Sequence, residues 1–153
     1  PEALRSAVKD MPRSVAHYAA EAVTDCFLVE QMAPPPLAEL IVGLRRDPQF
    51  GLAMTLGSGG VLVELVGDTV SLLLPASRDD IARALDRLRV SALLRGFRGK
   101  PAVDTSALID ALIRLAEFSI AQADTIAEIE INPLFVYQNE VLAIDVLMHV
   151  DRD

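Results

Sequence analysis

Apolar runs joined by links too short to hold a crossover are the strongest constraint on this chain. ELIVGLRRD (39–47) and GLAMTL (51–56) are strand-like runs separated by the turn sequence DPQFG. Parallel neighbours need a dozen or more connecting residues, so this link dictates an antiparallel pair. VLVELV and TVSLLL repeat the pattern around Gly67-Asp68, a dipeptide suited to tight hairpins. A last pair, 127–136 and 141–147, closes the chain.

Two helices lie between these hairpins. Ser77 is an N-cap candidate with Asp80 three residues on, a weaker capping box, followed by an apolar stripe of Ile81, Leu85 and Leu88. After a loop with Gly96, Gly99 and Pro101, a second helix runs from about 105 to 122 on Leu108, Leu112, Leu115 and Phe118. Upstream, residues 2–22 read as a helix with Leu4, Val8 and Met11 on one face and Pro12 as a point of interruption. CFLVEQM (26–32) reads as a buried strand with Cys26 in the core, ended by the prolines of APPP. The expected fold is α+β: a mostly antiparallel sheet with helices packed on one face. Residues 1–23 form a helical segment and 24–150 the body of a single compact domain.

With 52% apolar and 24% charged residues, 153 residues can bury a core, which excludes a disordered chain. A net charge of -8 excludes nonspecific nucleic-acid binding, which needs surplus cations, but not a local nucleotide site. One cysteine forms no internal disulfide, and no apolar run approaches the roughly 18 residues of a membrane span. A cytoplasmic setting with neither membrane nor nucleic-acid partners follows. His17 and His149 belong to no arrangement suited to nucleophilic catalysis.

EIEINPLFVYQNEVLAID (128–145) holds the most chemistry. Side chains alternate faces along a strand, so Ile129, Ile131 and Leu134 point to the core and Glu128, Glu130 and Asn132 away from it. On the returning strand Leu142, Ile144 and Val146 are expected to face the core, and Asp145 the other side. A two-residue loop at Gln138-Asn139 pairs Tyr137 with Glu140 and, counting back, sets Asn132 opposite Asp145; a bulge at Pro133 would shift this. An amide oxygen, a carboxylate and a nearby Glu130 suit magnesium, which takes one or two protein carboxylates plus phosphates and water. A solvated face of an edge hairpin is the plainer alternative.

Several blocks together resemble one family. FLVEQM, ELIVGLRRDPQFG, GSGG followed by VLVEL, LLRGFRGKPAVD and EIEINPL resemble, in order over about 24–150, the C-terminal part of the ATP-grasp domain of nucleoside-diphosphate-forming acyl-CoA synthetases, similar to the succinyl-CoA synthetase β subunit. The resemblance implies conversion of acyl-CoA, ADP and phosphate into acid, ATP and CoA through a phosphohistidine on another domain. It implies Mg2+ and ATP/ADP, or GTP/GDP, as cofactors, and CoA-binding and CoA-ligase domains, in the same chain or a partner subunit, as partners. It makes Asn132 and Asp145 the metal ligands, and Glu130 a catalytic acid near the phosphohistidine. It assigns Glu30, Gln31 and Met32 to the base-binding hinge, and Glu39 to the ribose hydroxyls. Arg46 is the catalytic candidate for a phosphate contact. Arg45 faces away from it by alternation, so at most one of the two reaches the site. Gly57, Ser58, Gly59 and Gly60 form a phosphate loop that lacks the Lys-Ser or Lys-Thr of a P-loop.

The family's upstream subdomain carries a phosphate-contacting lysine, and neither Lys9 nor Lys100 fits that role. The chain, which begins at Pro1 without an initiator Met, therefore resembles the second half of the domain, inactive alone and with a surface open to a homodimer. The rival reading is a non-catalytic nucleotide-sensing module fused to another enzyme such as an acetyltransferase. The half-site picture predicts weak or undetectable Mg-ADP binding by this chain alone in isothermal titration; tight stoichiometric binding would refute it.

Overall fold

A computed structural model describes residues 2–22, 25–59 and 67–151. The chain divides into two compact units, Pro1–Pro34 and Pro35–Asp153, with the boundary after the first of three consecutive prolines. In the first unit, α1 (Glu2–Tyr18) contains Pro12 without a break and buries no residue. The expected strand at 26–32 is absent. Residues 25–33 belong to no strand, and Leu28 and Met32 are 83% and 90% exposed. An apolar run becomes a strand only when a neighbour takes up its amides and carbonyls, and the described part of this unit has none. Cys26 is correspondingly exposed rather than in the core.

The second unit is the α+β body. Its described strands are β1 (Ala38–Asp47), β2 (Gly51–Ser58), β3 (Thr69–Leu73), β4 (Ile126–Val136), β5 (Val141–Ala143) and β6 (Val146–Val150). They form one antiparallel sheet in the order β3-β2-β1-β4-β5, and β6 continues the β5 edge along β4. The first expected strand of the Gly67-Asp68 hairpin, 61–66, lies outside the described residues; Gly67 has the positive φ, 57°, of a tight turn. The β1–β2 turn is held by Asp47, whose carboxylate accepts from the amides of Gln49 and Phe50 at 2.8 and 2.9 Å. Those two amides keep its carboxyl below the usual carboxylate value.

Helices α2 (Arg78–Arg87), α3 (Ser91–Leu94) and α4 (Thr105–Ala121) supply the other half of the core. Leu40, Val42 and Leu44 of β1, Met54 and Leu56 of β2, and Ile129 and Val136 of β4 are buried with Ile81, Leu85, Leu108 and Leu112. Glu39, Gly43 and Arg45 of β1 lie on the opposite face, away from the core formed with the helices of this unit. On α4 the buried stripe is Leu108, Ile109, Leu112, Ala116 and Ser119. Phe118, expected inside, is 44% exposed because the stripe steps by four after Leu112.

The last hairpin departs from simple alternation. Ile129 and Ile131 are buried, and so are Leu134 and Val136, so the core face changes parity between them. The β1 register shifts at the same place, between Leu40 and Val42, as a bulge requires. The partner strand changes face with it. Val141 packs on the core, while Leu142 and Ile144, expected inside, are 44% and 43% exposed. Val146 is 51% exposed, since all of β6 is an outer strand with no buried residue.

The α2 start tests the local reading. Ser77 and Asp80 form a full reciprocal capping box: Ser77 Oγ accepts from Asp80 N, and Asp80 accepts from Ser77 N. The Ser77 hydroxyl, then its amide, and Arg83 hold the Asp80 carboxyl below its usual 3.8. A depressed folded value contributes stability above the unfolded pKa that is lost as pH falls through the folded one. Ser77→Ala is expected to cost about 1 kcal/mol in urea unfolding at neutral pH. The gap to wild type should shrink as pH falls through the lowered value of Asp80, where it takes up its proton.

Candidate functional site

The uncovered face of the sheet collects most of the oxygen-bearing side chains. Ladder partners share a face, so pairing alone sets its rows. Arg45 stands across from Glu128, which stands across from His149. Gly43 stands across from Glu130, which pairs with Leu147. Ile131 pairs with Val146 and Leu134 with Ala143, so the counted register holds on both sides of the bulge and sets Asn132 opposite Asp145. Asn132 N donates to Asp145 O at 3.1 Å, and Ile144 N to Pro133 O at 3.1 Å. Tyr137 N donates to Glu140 O at 2.9 Å, closing the hairpin at Gln138-Asn139.

Glu130, Asn132 and Asp145 line one cavity of about 250 Å³ together with Val146 and Leu147. Glu130 also lines a second cavity of about 340 Å³ with Gly43, Arg45, Thr55 and Glu128. It is thus shared by two adjoining concavities. Opposite it, Gly43 has open space where a Cβ would stand, so no side chain enters the second cavity at that position. The Asn132 amide nitrogen donates to Glu130 Oε1 at 3.3 Å, which leaves the amide oxygen free.

Charge is unevenly matched along these rows. Glu128 has Arg45 across the ladder and His149 Nδ1 at 3.4 Å from its Oε2. Glu130 and Asp145 take part in no ion pair among the described residues. Two unmatched carboxylates beside a free amide oxygen are a hard-oxygen donor set that fits magnesium, which completes its octahedron with phosphates and water. Among the described residues, no group of three or more His, Cys, Asp or Glu is placed to hold a metal by itself, so a bound ion would need oxygens from a ligand.

Arg46 is not brought to this face. It lies on the helix side, where Nη1 donates to Ala123 O at 2.5 Å and Nη2 pairs with Asp151. Arg45 is the arginine on the open face, and it lines the 340 Å³ cavity. Leu40, Val42 and Leu44 share the buried parity, but Ile41 on the other parity is apolar too, so the sequence signal for the face of Arg45 and Arg46 is weak.

Glu39 lies half-buried at the far end of the same face, paired with Phe135, and borders a cavity of about 670 Å³ with Ser58 and Gly59. Gly57 and Gly59 are close-approach positions. A Cβ at Gly59 would stand 2.8 Å from Glu39 C, and one at Gly57 2.8 Å from Ile41 Cγ2. The amides of Ser58 and Gly59 already donate to Asp68 O and Glu39 O, so neither is a free phosphate donor in this arrangement. Gly60 lies outside the described residues. Glu30, Gln31 and Met32 belong to the first unit, where they are extended and exposed.

Comparison with known proteins bears on what this face does. Residues 1–150 match the family model of the ATP-grasp domain. The β subunit of an ADP-forming acetate–CoA ligase I from Pyrococcus furiosus is 31% identical over 147 residues, covering 96% of this chain and 62% of that protein. A trans-feruloyl-CoA synthase from an unknown prokaryotic organism is 31% identical over 151 residues, covering 97% of this chain and 21% of that one. Among solved structures, the dinucleotide-forming acetyl-coenzyme A synthetase 1 of Ca. Korarchaeum cryptofilum, in complex with coenzyme A, Ca-AMPCP and HgCl+, superposes with a TM-score of 0.88. It is 35% identical, covering 98% of this chain and 65% of that one. The chain therefore spans about three fifths of the P. furiosus subunit it matches.

The two arginines are expected to separate cleanly. Arg46→Ala should lower unfolding free energy by about 1 kcal/mol, a charge-assisted bond discounted for its partial exposure. Arg45→Ala should leave thermal unfolding unchanged within about 0.5 kcal/mol. Equal losses in the two variants would contradict the face assignment.

Proposed function

The chain belongs to the ATP-grasp domain family, and from that premise we propose that it is the nucleotide- and magnesium-binding part of an ADP-forming acyl-CoA synthetase. The observation that carries the reading is the row in which Asn132 stands opposite Asp145, with Glu130 beside it at the junction of two cavities. Another complex of the same Korarchaeum enzyme, 35% identical, contains Mg-AMPPCP with a phosphohistidine segment pointing towards the nucleotide binding site.

In this reading Asn132 Oδ1 and the Asp145 carboxylate hold Mg2+, which supplies charge neutralisation for the nucleotide phosphates when bound. Glu130 faces the transferring phosphoryl group and the phosphohistidine of another domain. Its place at the wall between the two cavities suits a group that meets ligands from both sides. Arg45 takes the phosphate-contact role assigned to Arg46 from sequence, since it is the guanidinium on this face. Glu39 accepts from the ribose hydroxyls. The base-contacting role of Glu30, Gln31 and Met32 rests on the resemblance alone.

The overall conversion would be acyl-CoA, ADP and phosphate to acid, ATP and CoA. Relatives matched by this segment are named for different acids: acetate, trans-ferulate and 4-hydroxybutyrate. A shared segment beside different acyl groups supports placing acyl selection outside it, in CoA-binding and CoA-ligase domains. No helix among the described residues is long and apolar enough to cross a membrane.

In the full-length protein, Asn132→Ala combined with Asp145→Asn should reduce acyl-CoA-dependent, magnesium-dependent ATP formation by about a hundredfold or more, the scale of losing a preorganised electrostatic contact. Retention of that activity with both changes in place would show the metal assignment to be wrong.

A further inference from the structure

One acid of this body is more heavily engaged than its place in a turn requires. Asp68 follows Gly67 and precedes β3. Its carboxylate Oδ2 accepts from the backbone amide of Arg89 at 2.8 Å and from the Ser58 hydroxyl in a short hydrogen bond. Its carbonyl accepts from Ser58 N at 3.1 Å, and the next amide, Gly59 N, donates to Glu39 O at 2.7 Å. A continuous series of bonds thus runs from the turn after α2, through Asp68 and the glycine segment, to the backbone of Glu39.

Glu39, Ser58, Gly59 and Arg89 all border the same 670 Å³ cavity. Asp68 therefore joins opposite walls of that cavity. A carboxylate suits the task because it is acceptor-only, and its two donors come from segments far apart in sequence. Both bonds go to the same oxygen, so asparagine at this position can keep both acceptor contacts while losing the charge. Gly57 and Gly59 complete the arrangement, since a side chain at either would push the segment off β1.

We propose that Asp68 is a positioning residue for the nucleotide site: it fixes the glycine segment to the turn at Arg89 and so sets the placement of Glu39 towards the ribose. The inference rests on the nucleotide reading of this face. Asp68 touches no reacting atom; it acts through Ser58, Gly59 and Glu39.

The test is titration of the full-length protein with Mg-ADP, beside thermal unfolding, for Asp68→Ala, Asp68→Asn, Ser58→Ala and the Asp68→Ala/Ser58→Ala pair. The dissociation constant for Mg-ADP should rise about tenfold in Asp68→Ala, the scale of one charge-assisted hydrogen bond, and less in Asp68→Asn. The paired variant should fall short of the product of its two single effects, because both remove the same bond. An unchanged dissociation constant in an Asp68→Ala protein that melts like wild type would overturn the proposal. So would full multiplicativity of the pair. Should Asp68→Ala fail to fold, Ser58→Ala decides by the same constant, with no change counting against the proposal. The Asn132→Ala/Asp145→Asn protein serves as the reference. If it binds Mg-ADP like wild type, the nucleotide reading of the metal row fails. If it loses binding while Asp68→Ala and Ser58→Ala do not, only the role of Asp68 fails.

Discussion

The change of face within β4 is the constraint on which the rest of the body depends. A regular strand alternates, so it cannot bury Ile129, Ile131, Leu134 and Val136 on one side. The bulge opposite Leu40 and Val42 inserts one residue and lets both halves of β4 reach the same core. Asn132 and Pro133 occupy the step. An asparagine is thereby placed where the strand bends, on an outer strand pair, with its amide oxygen unspent. The hairpin partner follows the step without slipping, which keeps Asp145 across from Asn132. Core packing and ligand geometry are therefore solved by the same irregularity.

Electrostatics then sorts the acids of the open face. Glu128 stands across the ladder from Arg45 on one side and lies against His149 Nδ1 on the other. Glu130 and Asp145 take part in no ion pair among the described residues, and like charges held this near favour a cation between them. The plainer reading of this hairpin, a solvated polar face, accounts for Glu128 well. It accounts less well for a glycine opposite Glu130 and for the shared wall of two cavities. Helices pack on the other side of the sheet and leave these acids on the strand face.

Much of this was legible in the sequence where one local rule dominated. Short links announced antiparallel pairing, the polar Gln138-Asn139 turn set the register, and Ser77 with Asp80 marked the start of α2. The rest depended on information that local pattern does not carry. LIVGL is apolar at odd and even positions alike, so it did not declare which β1 face is buried, and Arg46 was chosen over Arg45. CFLVEQM has a strand's composition, but a strand also needs a partner, and partners are a property of the whole chain. Pro133 signalled a bulge, yet only packing showed that both hairpin strands change face there. GSGG signalled close approach, and the nearest atoms to a Cβ at Gly59 belong to the backbone of β1.

The two ends of the open face are held by different means, and this bears on how each responds to change. At the Asn132 end, Glu130 and Asn132 project from β4 and Asp145 from the link between β5 and β6, held by the Asn132 N to Asp145 O bond, so their separation follows from backbone pairing. At the other end, Glu39 sits at the mouth of β1, and what surrounds it is a loop tied by side-chain bonds. Loops held in this way open at lower free energy than ladders do. In the proposed reading, such a site combines a rigid cation seat with an adjustable nucleotide end. That combination suits a face that must retain a phosphate-bound ion while its remaining ligand enters and leaves.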